Sequence, residues 1–200
     1  MKEFITMGYT YDELSEYAKD AVKQWYIDRQ VNDDGLYDEL LFRLHDMFPR
    51  SKLDVQYGLS YCQGDGLNIH GTLELVDFLD KWERDDKDKR TIAFYIKQAI
   101  YRYEFTRNDR YGYSCKFIDR KYIDASVMEW EDELRFQQIK NINVELIKQF
   151  YTDMLDYFEK LDTEFEEFGY KWLYEVEDDE VEEVCMSNEY YFTSEGEFLG

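Results

Sequence analysis

Two strictly alternating stretches meet at a glycine-rich turn within residues 53–75, LDVQYGLSYCQGDGLNIHGTLEL, and set the first expectation for the chain. On the first arm Leu53, Val55, Tyr57, Leu59 and Tyr61 share one face, and on the second Leu67, Ile69, Gly71, Leu73 and Leu75 do, the period of a half-buried β-strand. A hairpin register pairing Gln63 with Leu67, Cys62 with Asn68 and Ser60 with His70 makes the two apolar faces coincide. It leaves Gly64, Asp65 and Gly66 as a three-residue loop in which a glycine takes the left-handed conformation. A slip of one residue would turn every apolar side chain to water.

Elsewhere the period is helical. Thr10 and Glu13 read as a capping box, with Ser15 as a second possible cap, ahead of a helix over about 11–30 that carries Leu14, Ala18, Ala21, Val22 and Trp25. Asn32, Asp33 and Asp34 offer caps for a second helix with the stripe Leu36, Leu40, Leu41, Leu44 and Phe48, which stops before Pro49. Residues 76–82 return to helical period, 83–89 read as a loop or solvated helix end, and 90–100 as helix. Tyr101, Tyr103 and Phe105 then alternate with polar residues, predicting a second hairpin that turns at residues 108–110 and returns through Tyr111, Tyr113, Cys115 and Phe117. Within the mixed segment 119–142 a short helix is expected. From an Asn143 cap, Ile147, Tyr151, Met154, Phe158, Leu161, Phe165 and Phe168 recur at spacings of four and three, predicting the longest helix, lying across the sheet and ending at Gly169. A short helix around 180–186 and a turn or small hairpin over 190–198 complete the chain. The expectation is an α+β fold: an antiparallel sheet of two main hairpins covered by several helices, in a single domain over 1–200.

Composition narrows the class. A single proline and no Ser/Gly-rich run leave no evident linker, and no apolar run approaches the roughly 18 residues of a membrane span. The start, MKEFITMGY, lacks the regions of a signal peptide, and three scattered cysteines suit a reducing compartment, so a cytoplasmic protein is expected. The net charge is −22. Residues 151–200 hold 17 acidic and two basic side chains, a net of −15, whereas 101–150 hold nine of each. Such a charge disfavours direct nucleic-acid binding and favours the basic grooves that bind nucleic acids. An equally simple reading makes it a solubilising face.

Candidate chemistry is sparse. The loop Gln63, Gly64, Asp65, Gly66 joins strand to strand, whereas phosphate-binding loops lead into a helix N-terminus, so its glycines read as turn residues. Cys62 and His70 are diagonal neighbours in the expected register, and with Cys115 and Cys185 they could assemble a Cys3His structural zinc site. No CxxC spacing supports that set, and packed thiols with a hydrogen-bonded histidine are the simpler expectation, with no cofactor. The two histidines sit in no hydrolase or metalloprotease signature, so an enzyme, including a metal-dependent one, is the least favoured class.

Three signposts resemble a widespread group of small proteins encoded by bacteriophages and prophages: YDELSEYAKDA at 11–21, SYCQGDG at 60–66 and NEYYFTSEG at 188–196. The resemblance implies a phage setting and a cytoplasmic location in a bacterial host, and it transfers no catalytic residue. Small acidic phage proteins recurrently occupy nucleic-acid grooves of host defence enzymes. The expectation is therefore an inhibitor of a host defence nuclease, of the anti-CRISPR type with an RNA-guided nuclease as target. Its partner-binding residues would be Asp153, Asp156, Glu164 and Glu167 on the back of the long helix, followed by Glu175, Glu177, Asp178, Asp179, Glu180, Glu182 and Glu183. Tyr170, Trp172 and Tyr174 are candidate anchors. The alternative is a phage accessory protein that binds a host or phage protein without nucleic-acid mimicry.

Overall fold

The computed structural model describes residues 7–30, 35–61, 65–105 and 123–200. The fold is α+β: seven α-helices and a three-stranded antiparallel sheet among the described residues, with no helix long and apolar enough to cross a membrane. The chain divides into two compact units, one from residues 35–169 and one from the two terminal segments, 1–34 and 170–200.

In the central unit, α2 (Leu36–Met47) buries Leu36, Leu40 and Leu44 and stops at Phe48, ahead of Pro49. Its N-cap is Gly35, in the left-handed region, and the expected caps 32–34 lie outside the described residues. Strands β1 (Lys52–Gly58) and β2 (Gly66–Glu74) form the expected hairpin in a different register. Val55 faces Ile69 and Tyr57 faces Leu67, six residues away from the expected pairing. An even shift keeps both apolar faces together, so Leu53, Val55, Leu67, Ile69 and Leu73 are all buried. The register is set outside the turn. Ser51 donates its hydroxyl to Asp77 (2.7 Å) and accepts the Glu74 N–H (3.0 Å), which pins the start of β1 beside the end of β2. Gly66 is therefore a strand residue opposite Gly58, with nearly extended backbone, rather than the left-handed residue of a three-residue loop. Among the described residues of the hairpin the left-handed glycine is Gly71 (φ 103°), where a Cβ would come within 2.4 Å of the Lys52 carbonyl oxygen.

Helices α3 (Leu75–Lys81) and α4 (Asp86–Gln98) follow. The second starts four residues before the expected point because the Asp85 side chain accepts the N–H groups of Lys87 and Asp88. Strand β3 (Arg102–Phe105) pairs with β2, Gly71 facing Phe105 and Leu73 facing Tyr103. The returning arm of the second hairpin, with Cys115, lies outside the described residues. The expected short helix is α5 (Ile123–Phe136). Asn143 caps the long helix α6 (Val144–Tyr174), its side chain accepting the Leu146 N–H. This helix lies across the sheet as expected. Phe158 packs between Phe48 (5.0 Å) and Phe105 (4.5 Å), while Phe150 packs on Phe78 and Trp82 of α3 and its cap. Gly169 does not end α6. It is buried inside the helix, and a Cβ there would lie 2.4 Å from Leu59 Cδ1. The glycine serves close packing of Leu59, which has left the strand to join the core.

In the terminal unit, Thr10 and Glu13 bound a 3-10 turn (Tyr11–Glu13), the Glu13 carboxylate accepting the Thr10 N–H. The second expected cap, Ser15, starts the helix proper, α1 (Glu16–Gln30), by accepting the Ala18 N–H. Helix α7 (Asp178–Ser187) and the last residues pack on α1 around Ala18, Val22, Tyr26, Val181, Cys185 and Phe192. The expected closing turn is present, with Phe192 bridging both Tyr9 and Phe198. Gly196 (φ 88°) sits against the Ala18 carbonyl oxygen, where a Cβ would be 2.4 Å away.

Candidate functional site

Helix α7 is amphipathic in an extreme form. Val181 and Cys185 are fully buried, whereas Glu175, Glu177, Asp178, Asp179, Glu180, Glu182 and Glu183 are all exposed. Three of these acids, Asp178, Asp179 and Glu180, occupy the first turn, where the helix dipole favours negative charge. Two also hold the helix in place. Asp178 pairs with Lys23 of α1 at 2.6 Å, and Glu180 accepts the Tyr26 hydroxyl at 3.0 Å. Among the described residues Glu175, Asp179, Glu182 and Glu183 make no such anchoring bond to α1 and project negative charge. Near the same patch the Tyr11 hydroxyl titrates above the ordinary tyrosine range, first because it is buried and then because of Asp178.

The acids expected on the back of α6 divide. Asp156 and Glu167 are exposed, and Glu164 pairs with Lys160 at 3.3 Å. Asp153 is instead the hub of a polar contact with α3's end, accepting from Trp82 Nε1 (2.7 Å), Arg84 (3.0 Å) and Gln149 (2.6 Å). Burial opposes its charge, but the three donors outweigh it and hold its carboxyl below the usual range. Asp153 is a structural residue of the central unit rather than part of a free acidic face. Of the expected aromatic anchors, Trp172 is exposed while Tyr170 and Tyr174 are half-buried, their rings 6.1 Å apart.

The expected zinc ligands are only partly described. His70 lies on β2 opposite Asp54, in the central unit, and Cys185 lies in the core of the terminal unit, while Cys62 and Cys115 are outside the described residues. Burial pushes the Cys185 thiol up to about 11, so it is held protonated at neutral pH as a packed side chain. Among the described residues no three His, Cys, Asp or Glu side chains converge as a metal site. In the hairpin loop, Gln63 and Gly64 are outside the described residues, and Asp65 accepts the Ser60 N–H at 2.6 Å, the amide-satisfying role its type predicts.

Two buried carboxylates were not singled out by the sequence pattern. Asp77 accepts from the Arg50 N–H, the Arg50 guanidinium and Ser51, and Asp162 accepts the Ile69 N–H at 3.0 Å. Their signal is an acid inside an apolar stripe, Asp77 between Val76 and Phe78 and Asp162 directly after Leu161. Compared with known proteins, the chain matches no family model, no curated protein and no solved structure.

Proposed function

We propose that the chain is a phage-encoded acidic inhibitor that occupies a basic, nucleic-acid-binding surface of a host defence nuclease, with the RNA-guided nuclease of a CRISPR system as the target class. The observation that carries this reading is the seven exposed carboxylates within residues 175–183, on and just before a helix that buries Val181 and Cys185 in its own core. Carboxylates at that density displace counterions from a basic partner much as phosphates do. Exposed Trp172, one turn before the acidic run, supplies an aromatic contact of the kind that anchors interfaces.

The geometry also selects the test. Reversing Asp178 or Glu180 would break the Lys23 and Tyr26 contacts, so loss of inhibition could follow from loss of packing. The informative variant is Glu175→Lys, Asp179→Lys, Glu182→Lys, Glu183→Lys. In DNA-cleavage assays with a panel of RNA-guided nucleases, the unaltered chain should suppress cleavage by its target, with potency falling steeply as salt rises. The fourfold variant should lose suppression while its melting temperature stays close to that of the parent. Undiminished suppression by that variant would remove the mimicry reading and leave the accessory-binder alternative.

A further inference from the structure

One surface of the central unit has a sign opposite to that of the molecule. Helix α4 presents Lys87, Arg90 and Phe94 along one side at helical spacing, and the turn after α5 brings Ile139 and Lys140 to face them across an open groove of about 420 Å³. The turn is fixed by bonds from the Ile139 N–H to the Leu134 carbonyl (3.0 Å) and from the Gln138 N–H to the Arg135 carbonyl (2.9 Å). Buried Tyr95 ties the groove floor to the start of α6 by accepting the Asn143 N–H at 2.8 Å. Phe94 is 47% exposed on the groove's rim.

Among the described residues no carboxylate lines this groove, although the chain has 46 acidic residues against 24 basic ones. Elsewhere Lys23, Arg50, Arg84 and Arg102 each hold a carboxylate at 2.6 to 3.0 Å. Among the described residues Lys87, Arg90 and Lys140 pair with none. Arg90 spends only its Nε, on the Asp86 carbonyl at 2.9 Å, which leaves its two terminal nitrogens for another acceptor. Three cations around an exposed aromatic, with apolar walls, are complementary to an anion that also carries an apolar group.

We propose that this groove docks a short acidic segment of a partner protein, its carboxylates on Lys87, Arg90 and Lys140 and an apolar side chain against Phe94. A nucleic-acid strand is the poorer fit. It carries a charge at every nucleotide, and Asp85, Asp86 and Asp88 at the start of α4 would repel it where it leaves the groove. A peptide places its charges singly and turns neutral where those acids begin. A second copy of the chain is opposed by the net −22 on each molecule. At physiological salt the Debye length is about 8 Å, so a short ligand responds to the groove's own cations and little to distant acids. The inference goes beyond the inhibitor reading and survives its failure, because the two use different residues.

The test is amide NMR of the full chain with two probes, an acetylated hexapeptide of alternating glutamate and phenylalanine and a six-nucleotide oligothymidylate. The peptide should shift the amides of residues 87–94 and 139–140 saturably, and more weakly as salt is raised. The double variant Lys87→Glu, Arg90→Glu should weaken that binding about tenfold or more. Lys140→Ala, which lies outside any helix, serves as a second variant should the first disturb α4, and it should weaken binding severalfold. No saturable shift at those amides up to about 1 mM peptide would overturn the proposal. So would shifts unchanged in both variants, or tighter binding of the oligonucleotide at the same amides.

Discussion

Asp162 is the residue whose chemistry departs furthest from its sequence neighbourhood. It is 1% exposed, its Oδ1 accepts the Ile69 N–H, and its Oδ2 has no donor among the described residues. Asn68 Oδ1 and Gln56 Oε1, on facing positions of the hairpin, are likewise buried acceptors without a donor among the described residues. Burial is the main force on the carboxyl and raises its pKa, Glu159 and Glu166 push the same way, and the single Ile69 bond opposes them, so it titrates well above the ordinary aspartate range. Protonation turns that unpaired oxygen of Asp162 from a buried charge into a hydroxyl donor. The sign of the pH dependence follows. The native state keeps a proton that the unfolded chain releases, so this contribution to stability is complete below the ordinary aspartate value of about 4. It is lost as pH rises toward the native value. Asp162→Asn removes the ionisation while keeping an acceptor for Ile69. Relative to the parent, the variant should gain stability steadily as pH rises above about 4, as read by urea denaturation at each pH. A difference that stays constant with pH would show that Asp162 is charged in the native state.

At the scale of elements, the contact that fixes the hairpin register is the latch of Ser51, Glu74 and Asp77. The Ser51 hydroxyl is at once donor to a buried carboxylate and acceptor from a strand N–H, and Ser51→Ala leaves both partners short. The expected cost is about 1 to 3 kcal/mol, measurable by chemical denaturation, and a loss below about 0.5 kcal/mol would move the register control elsewhere. This latch explains what could and could not be read in advance. Alternation along 53–59 and 67–73 and the four-three stripe of α6 are local signals, and they predicted which faces are buried. Register is decided by a bond between a turn and a later helix, and alternation is satisfied equally by any even shift. The end of α6 was misplaced for a related reason. Gly169 has the identity of a helix terminator, but it is there because Leu59 needs the space, a contact 110 positions away in the chain. Caps made by neighbouring residues, Ser15 and Asn143, were legible because their partners are three residues on. Exposure of the acids in 175–183 was equally legible from their density. The involvement of Asp153 with Trp82 and Arg84 was not, since it depends on where α3 ends in space.

At the scale of the whole molecule, charge sets two responses to salt that run in opposite directions. A chain of net −22, with −15 of it in the last fifty residues, repels itself in the folded state more than in the expanded one. Added salt screens that repulsion. It also weakens exposed ion pairs such as Lys148 with Asp124 and Lys160 with Glu164, but pairs of that kind contribute about 0 to 1 kcal/mol each. With acids outnumbering bases nearly two to one, relief of repulsion outweighs the weakening of those pairs. The melting temperature should therefore rise between about 10 mM and about 0.15 M salt and level off once the Debye length falls to about 8 Å. Binding to a basic partner through residues 175–183 should lose affinity over the same range, because its attraction is screened. Measuring both on one preparation separates the two effects: a fall in inhibition accompanied by a rise in melting temperature assigns the salt sensitivity to the interface. A melting temperature that drops with salt over that range would mean that attractive pairs outweigh self-repulsion. In that case the acidic segment would belong to the energetics of the fold before it belonged to any partner.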